Sequence, residues 1–180
     1  MGIEDLVTAL TDDVTALTAL LESGEQTADA WFVEMAQTLT DHHMAAMMTG
    51  LGSAALPPAA QAALGKLVAA QLSYLDNFRL VIKDAAAFER GWTARAQMYA
   101  EAIRAPYWSG RTKMLPLPFL PGDGTTQCLS RCRCAWEVET INEAQGDYDA
   151  RWVLGDAEHC QTCIARTGQN PYRIRGGELL

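Results

Sequence analysis

All five cysteines of this 180-residue chain fall in two short stretches, QCLSRCRCAWEVE and EHCQTC. Their spacing is C-x3-C-x-C followed by C-x2-C. Zinc takes four ligands in a tetrahedron at about 2.3 Å from each sulfur, so two close-spaced groups of thiols joined by a hairpin suffice to hold it. Six side chains are candidates: Cys128, Cys132, Cys134, His159, Cys160 and Cys163. Cys160 and Cys163 form a compact chelate. Cys132 and Cys134 point to one face of a strand, because side chains alternate with period two. Cys128 reaches in from the preceding turn, which Gly122 and Gly124 loosen. Four of the five cysteines are expected as ligands, with His159 in reserve. The competing readings are buried cysteines acting as small apolar side chains and a thiol redox pair. A redox pair calls for a single C-x2-C at a helix start within a βαβ pattern, and no such pattern is visible. Five cysteines cannot all pair within one chain, and disulfides are rare in a reducing cytoplasm.

The residues between the clusters read as the scaffold that brings them together. CAWEVETI and DYDARWVLG alternate apolar and polar residues, and NEAQG between them has turn composition, which predicts an antiparallel hairpin. Asp156 is then expected to cap a short helix over 158–167 that presents Cys160 and Cys163 on one side.

The first 110 residues predict a helical body. Ile3, Leu6, Val7, Leu10, Val14, Leu17 and Leu21 recur at three- and four-residue steps, and Gly24 ends that helix. A second helix starts after Thr27, carries Trp31, Met35 and Leu39 on one stripe, and is expected to stop at Gly50. A third, over 59–83, aligns Leu64, Leu67, Val68, Leu72, Leu75, Phe78 and Ile82. A fourth, over 85–104, aligns Phe88, Trp92, Ala96, Tyr99 and Ile103, with Pro106 as its stop. Four such helices can bury a common core as a bundle.

Neither part offers a convincing catalytic constellation. A di-metal carboxylate bundle needs Glu-x-x-His on two helices, and none occurs. Glu34 stands eight and nine residues before His42 and His43, which instead predicts a histidine pair that faces the surface or bonds locally. Met44, Met47 and Met48 read as core or interface filler. PGDGTTQC lacks the lysine of a phosphate loop. A cysteine nucleophile has no base beside it except His159, itself a candidate ligand. The chain reads as a non-enzyme.

Between the two parts lies RAPYWSGRTKMLPLPFLPGDGTTQ, with Pro106, Pro116, Pro118 and Pro121. Prolines at this density oppose both helix and inner strand. The segment reads as an extended connector whose apolar residues, Leu115, Leu117, Phe119 and Leu120, form a contact strip for another protein. The net charge of -8 disfavours a general nucleic-acid binder. Residues 1–110 hold 13 acids and 6 bases, while 111–180 hold 9 and 8, so the cysteine-bearing part is near neutral. Arg131 and Arg133 are the only feature favouring nucleic acid. MGIEDLVTAL lacks the basic start of a secretory signal, and no apolar run reaches the ~20 residues of a membrane span. These features predict a protein made in a reducing cytoplasm, with no membrane partner.

LPFLPGDGTTQCLSRCRCAWEVE, then WVLGDAEHCQTC and NPYRI, resemble the C-terminal segment of phage head morphogenesis proteins, the minor head proteins similar to the Mu F-like family. The helical phrases LLESGEQTADAWFVEM, VAAQLSYLDNFRLVI and RAQMYAEAIRAPYWSGR extend the resemblance over most of the chain. GDGTTQC and CRC are its more specific elements. The resemblance implies a virion structural protein, assembled in the host cytoplasm, docking on capsid or portal subunits or on further copies of itself, without enzymatic activity. Some relatives are longer, which leaves open a capsid-bound cement role. The residues themselves predict a mainly α chain, with an N-terminal helical bundle (1–110), a Pro/Gly-rich connector (111–127) and a β-hairpin, zinc-ribbon-like module (128–180) stabilised by structural zinc. The alternative function is a zinc-ribbon adaptor or regulator that binds host protein or nucleic acid.

Overall fold

The computed structural model describes residues 2–84 and 91–180. The chain is mainly helical, with a small antiparallel sheet at its C-terminal end. Helices α1 (Ile3–Glu22), α2 (Ala28–Leu51), α3 (Pro58–Asp84), α4 (Trp92–Glu101) and α5 (Arg104–Arg111) form the body. The module follows as β1 (Ala135–Asn142), β2 (Asp147–Val153), α6 (Gln161–Thr167), β3 (Tyr172–Arg175) and β4 (Glu178–Leu179).

The periodic apolar positions become the core of the body. Leu6, Val7, Leu10, Val14 and Leu21 of α1 are buried against Trp31, Met35 and Leu39 of α2 and against Leu75, Phe78 and Ile82 of α3. Trp92, Ala96, Tyr99 and Ile103 close the same core, while Phe88 lies outside the described residues. Thr27 caps α2 as expected, its hydroxyl accepting from the Ala30 N–H at 3.2 Å.

Two helix ends differ from the expectation. Gly50 does not stop α2, which runs on to Leu51 and ends at Gly52 with φ 64°. Gly50 is buried inside the helix, where a Cβ would come within 2.1 Å of the Tyr107 carbonyl oxygen; on α5, a Cβ at Gly110 would come within 2.4 Å of the Met47 carbonyl oxygen. Two facing glycines let the backbones of α2 and α5 touch, so Gly50 serves a helix crossing and not a terminus. Pro106 likewise stops nothing. It is the third residue of α5, and in a first turn its missing N–H has no intrahelical acceptor to lose.

The expected hairpin forms, with Trp136 opposite Trp152 and Val138 opposite Ala150. The turn is a 3₁₀ segment, Glu143–Gln145, closed by Gly146 at φ 74°. Two strands beyond the hairpin, β3 and β4, extend it to a four-stranded sheet in the order β1-β2-β3-β4. The short helix begins at Gln161, not at 158, and its N-cap is Cys160 and not Asp156.

Body and module meet through charge as well as packing. Arg104, only 3% exposed, donates to both carboxylate oxygens of Glu4 at 2.8 and 2.9 Å and to Glu101 at 2.8 Å. Arg133, from the cysteine loop, bonds the same two carboxylates at 3.1 and 3.0 Å. Two guanidiniums and two carboxylates thus tie α1, α4 and α5 to the start of the module.

Candidate metal centre

The segment after α5 does not hang free. Met114 packs against Met47, Ala60 and Leu64 of the body. Leu117 and Phe119 pack into the buried cluster of the module, so the strip expected to meet another protein is partly taken up inside the chain; Leu115 and Leu120 are half-buried. The reason is the hairpin's aromatic face. Trp136 and Trp152 lie opposite one another with ring centroids 5.2 Å apart, and Phe119 fills the hollow beside them, at 5.4 Å from Trp136, 5.1 Å from Trp152 and 5.6 Å from Tyr172. The Trp136 indole N–H donates to the Phe119 carbonyl at 3.0 Å, which pins the connector's backbone to β1.

Beyond Phe119 the chain turns on Asp123. Its carboxylate accepts from the Leu120 N–H at 2.7 Å and from the Thr125 N–H at 2.9 Å. This turn delivers Cys128 to a single 3₁₀ turn, Leu129–Arg131, and Cys132 and Cys134 follow just before β1. From the other side β2 returns the chain to α6, whose N-cap is Cys160 and whose third residue is Cys163.

All five thiols are free and converge. The sulfurs of Cys128, Cys132 and Cys163 lie within 4.8 Å of one another and could hold a metal ion. Cys163 Sγ is 3.9 Å from Cys128 Sγ and 3.8 Å from Cys132 Sγ, and Cys160 Sγ is 3.8 Å from Cys128 Sγ. The Cys134 thiol hydrogen-bonds with those of Cys132 and Cys163. The five thiols that the sequence spacing singled out lie together, and Cys163 is the hub that neighbours each of the other four. His159 is half-buried and is not in the close group, which contains thiols only.

The distances fit a metal. Sulfurs at about 2.3 Å from a tetrahedral ion sit about 3.8 Å apart, close to the three spacings quoted above. Proton affinities in the cluster diverge in the way crowded thiols require. The Cys134 thiol hydrogen-bonds Cys132 and lowers it to about 5, against the effect of burial, while the same bond pushes Cys134 up. Burial opposes ionisation of Cys160, but hydrogen bonds from the backbone and thiol of Cys163 outweigh it and bring Cys160 to about 7. Burial pushes Cys163 and Cys128 up. So few of these thiols ionise together unaided, and a bound metal cation would let several thiolates share the cluster.

The two histidines of α2 are each engaged by a neighbour in the helical body. His42 faces Asp13 at 2.8 Å. His43 is buried and bonds locally, its Nδ1 lying 2.7 Å from the Leu39 carbonyl.

Sequence reasoning missed the aromatic box and Arg166, whose guanidinium lies 3.5 Å above the Phe119 ring. The alternating Trp136 and Trp152 were legible, but the partner they select from the connector was not. No helix among the described residues is long and apolar enough to cross a membrane. Comparison with models of known families, with curated proteins and with solved structures finds no match to this chain.

Proposed function

We propose that the protein is a phage virion structural protein, a minor head or head-morphogenesis component, whose C-terminal module is held in shape by one structural zinc ion. The sulfur spacing carries the metal part of this reading: Cys128, Cys132, Cys160 and Cys163 supply three edges at the tetrahedral distance. Cys134 remains as a thiol bonded to Cys132 from outside that set. A structural role fits because a fourth thiol, Cys160, lies 3.8 Å from Cys128 and can take the fourth position beside the close group of Cys128, Cys132 and Cys163. Bound there, the ion supplies cross-linking and no reaction. The chain's own residues do the rest: the aromatic box shields the thiols, and the ions of Arg104 and Arg133 fix the module on the body.

The virion role is supported by the resemblance in GDGTTQC, CRC and NPYRI. With Leu117 and Phe119 packed inward, docking on capsid or portal subunits falls to the body, whose exposed Asp12, Glu34 and Asp41 suit a basic groove on the partner. In the adaptor alternative, the nucleic-acid arm rested on Arg131 and Arg133, and Arg133 is already paired with Glu4 and Glu101. Two measurements test the proposal. Elemental analysis of chain purified without chelator is expected to find about one zinc per chain; metal-free chain with an ordered module refutes the metal part. A mass-spectrometric inventory of purified phage particles is expected to contain the chain; its consistent absence refutes the virion part.

A further inference from the structure

Arg166 follows Cys163 by three residues on α6, a step that puts two side chains on the same side of a helix. The residue is only 8% exposed. Its guanidinium sits 3.5 Å over the Phe119 ring and 5.3 Å from that of Trp152, both members of the cluster that packs around the thiols. Nη2 donates to the Thr125 hydroxyl at 2.9 Å and to the Thr125 carbonyl at 3.4 Å. Nη1 is buried with no hydrogen-bond partner among the described residues. Arg166 forms no ion pair among them either. The nearest carboxylate along its hydrogen bonds is Asp123, one step removed, which accepts from the same Thr125 hydroxyl at 2.5 Å.

Arg104 shows how the fold otherwise treats a buried guanidinium, giving it two carboxylates and three short bonds. An arginine cannot discharge itself by losing its proton, so one withdrawn from water needs an anion nearby. Four thiolates around a dication carry a net charge of -2, and their sulfurs accept hydrogen bonds. We propose that Arg166 is the counter-charge of the cysteine–metal centre, with its unpartnered Nη1–H and its positive charge offsetting the excess negative charge of four metal-bound thiolates. Trp152 Nε1 is another buried N–H donor of this cluster without a partner among the described residues. The inference rests on the reading of the cysteines as a metal site. It adds the charge of that site, all-thiolate and not cysteine–histidine, and names a residue outside the ligand set that governs affinity. Arg166 acts through the ligands as a positioning residue.

The test uses the full chain loaded with cobalt(II), its affinity read by competition with a chromogenic chelator at fixed pH. Arg166→Met is expected to bind about 10- to 100-fold more weakly, the range found when an outer partner of a metal ligand is lost. Its thiolate-to-cobalt charge-transfer band is expected to keep its position and intensity, because the ligand set is unchanged. Arg166→Lys, which restores the charge but not the shape, is expected to recover most of the affinity; a purely packing role predicts no such rescue. If Arg166→Met does not fold, the unaltered chain decides: the Arg166 guanidinium resonances are expected to shift when cadmium is added. Equal affinity in wild type and Arg166→Met, or guanidinium resonances unmoved by cadmium, overturns the proposal. A wild-type chain that binds no cobalt at all overturns the metal-site reading, and this one with it.

Discussion

His43 makes the helical body sensitive to mild acid. The side chain is 1% exposed, and its Nδ1 lies 2.7 Å from the Leu39 carbonyl, which can only accept, so Nδ1 carries the proton and Nε2 is a bare nitrogen buried without a partner among the described residues. Burial disfavours the imidazolium and lowers the group from 6.5 to about 4, with the bond to Leu39 acting weakly the other way and nearby His42 adding to the depression. The unfolded chain therefore takes up this proton below pH 6.5, whereas the folded chain resists it until about pH 4. Stability from this group is fully present above 6.5 and is lost as the pH falls toward 4. That difference is worth about 3 kcal/mol in full, most of which is lost between pH 7.5 and 4.5. His43→Met keeps the volume and removes the titration. Urea unfolding followed by far-ultraviolet circular dichroism, run on both chains at both pH values, isolates the effect, because carboxylates and thiols contribute equally to each. The wild type is expected to lose about 2 kcal/mol or more beyond His43→Met over that interval. Parallel pH profiles for the two chains refute the reasoning.

Gly50→Ala is expected to destabilise the body by about 3 kcal/mol or more, since the new methyl meets backbone at Tyr107 and Arg111 and neither can yield. Thermal unfolding reads this as a fall of roughly 6 °C or more for a chain of this size, and an unchanged midpoint means that α2 and α5 do not cross at Gly50. Phe119→Ala is expected to cost about 3–5 kcal/mol, and to raise the quantum yield or shift the emission of the Trp136 and Trp152 indoles it packs on; a chain as stable as wild type shows that the connector is free after all. Arg104→Ala, which removes a buried guanidinium and leaves Arg133 as the cation on Glu4 and Glu101, is expected to lose about 2 kcal/mol, measured by urea unfolding, and an unchanged stability removes the Arg104 ion pairs as a part of the link between body and module.

The sequence by itself determined those features that repeat or cluster locally. The apolar periods of α1 and α3 named their own buried faces, because a helix exposes every third or fourth residue to the same neighbour whatever that neighbour is. Strand alternation and turn composition likewise specified the hairpin, and the close spacing within each cysteine group was enough to bring the thiols together once that hairpin closed. What only the tertiary structure decided were pairings between distant segments. Gly50 looked like a helix stop until α5 was seen to need its missing Cβ. Pro106 looked like an end because a proline forbids a helix behind it but not a new one begun two residues earlier. Phe119 looked free because its partners, Trp136, Trp152 and Tyr172, lie 17 to 53 residues further along, and nothing in the local pattern distinguishes an apolar strip awaiting another protein from one the chain will cover itself. Arg166 carried no signal at all, since a lone arginine acquires meaning only when burial withdraws it from water and no carboxylate follows it in.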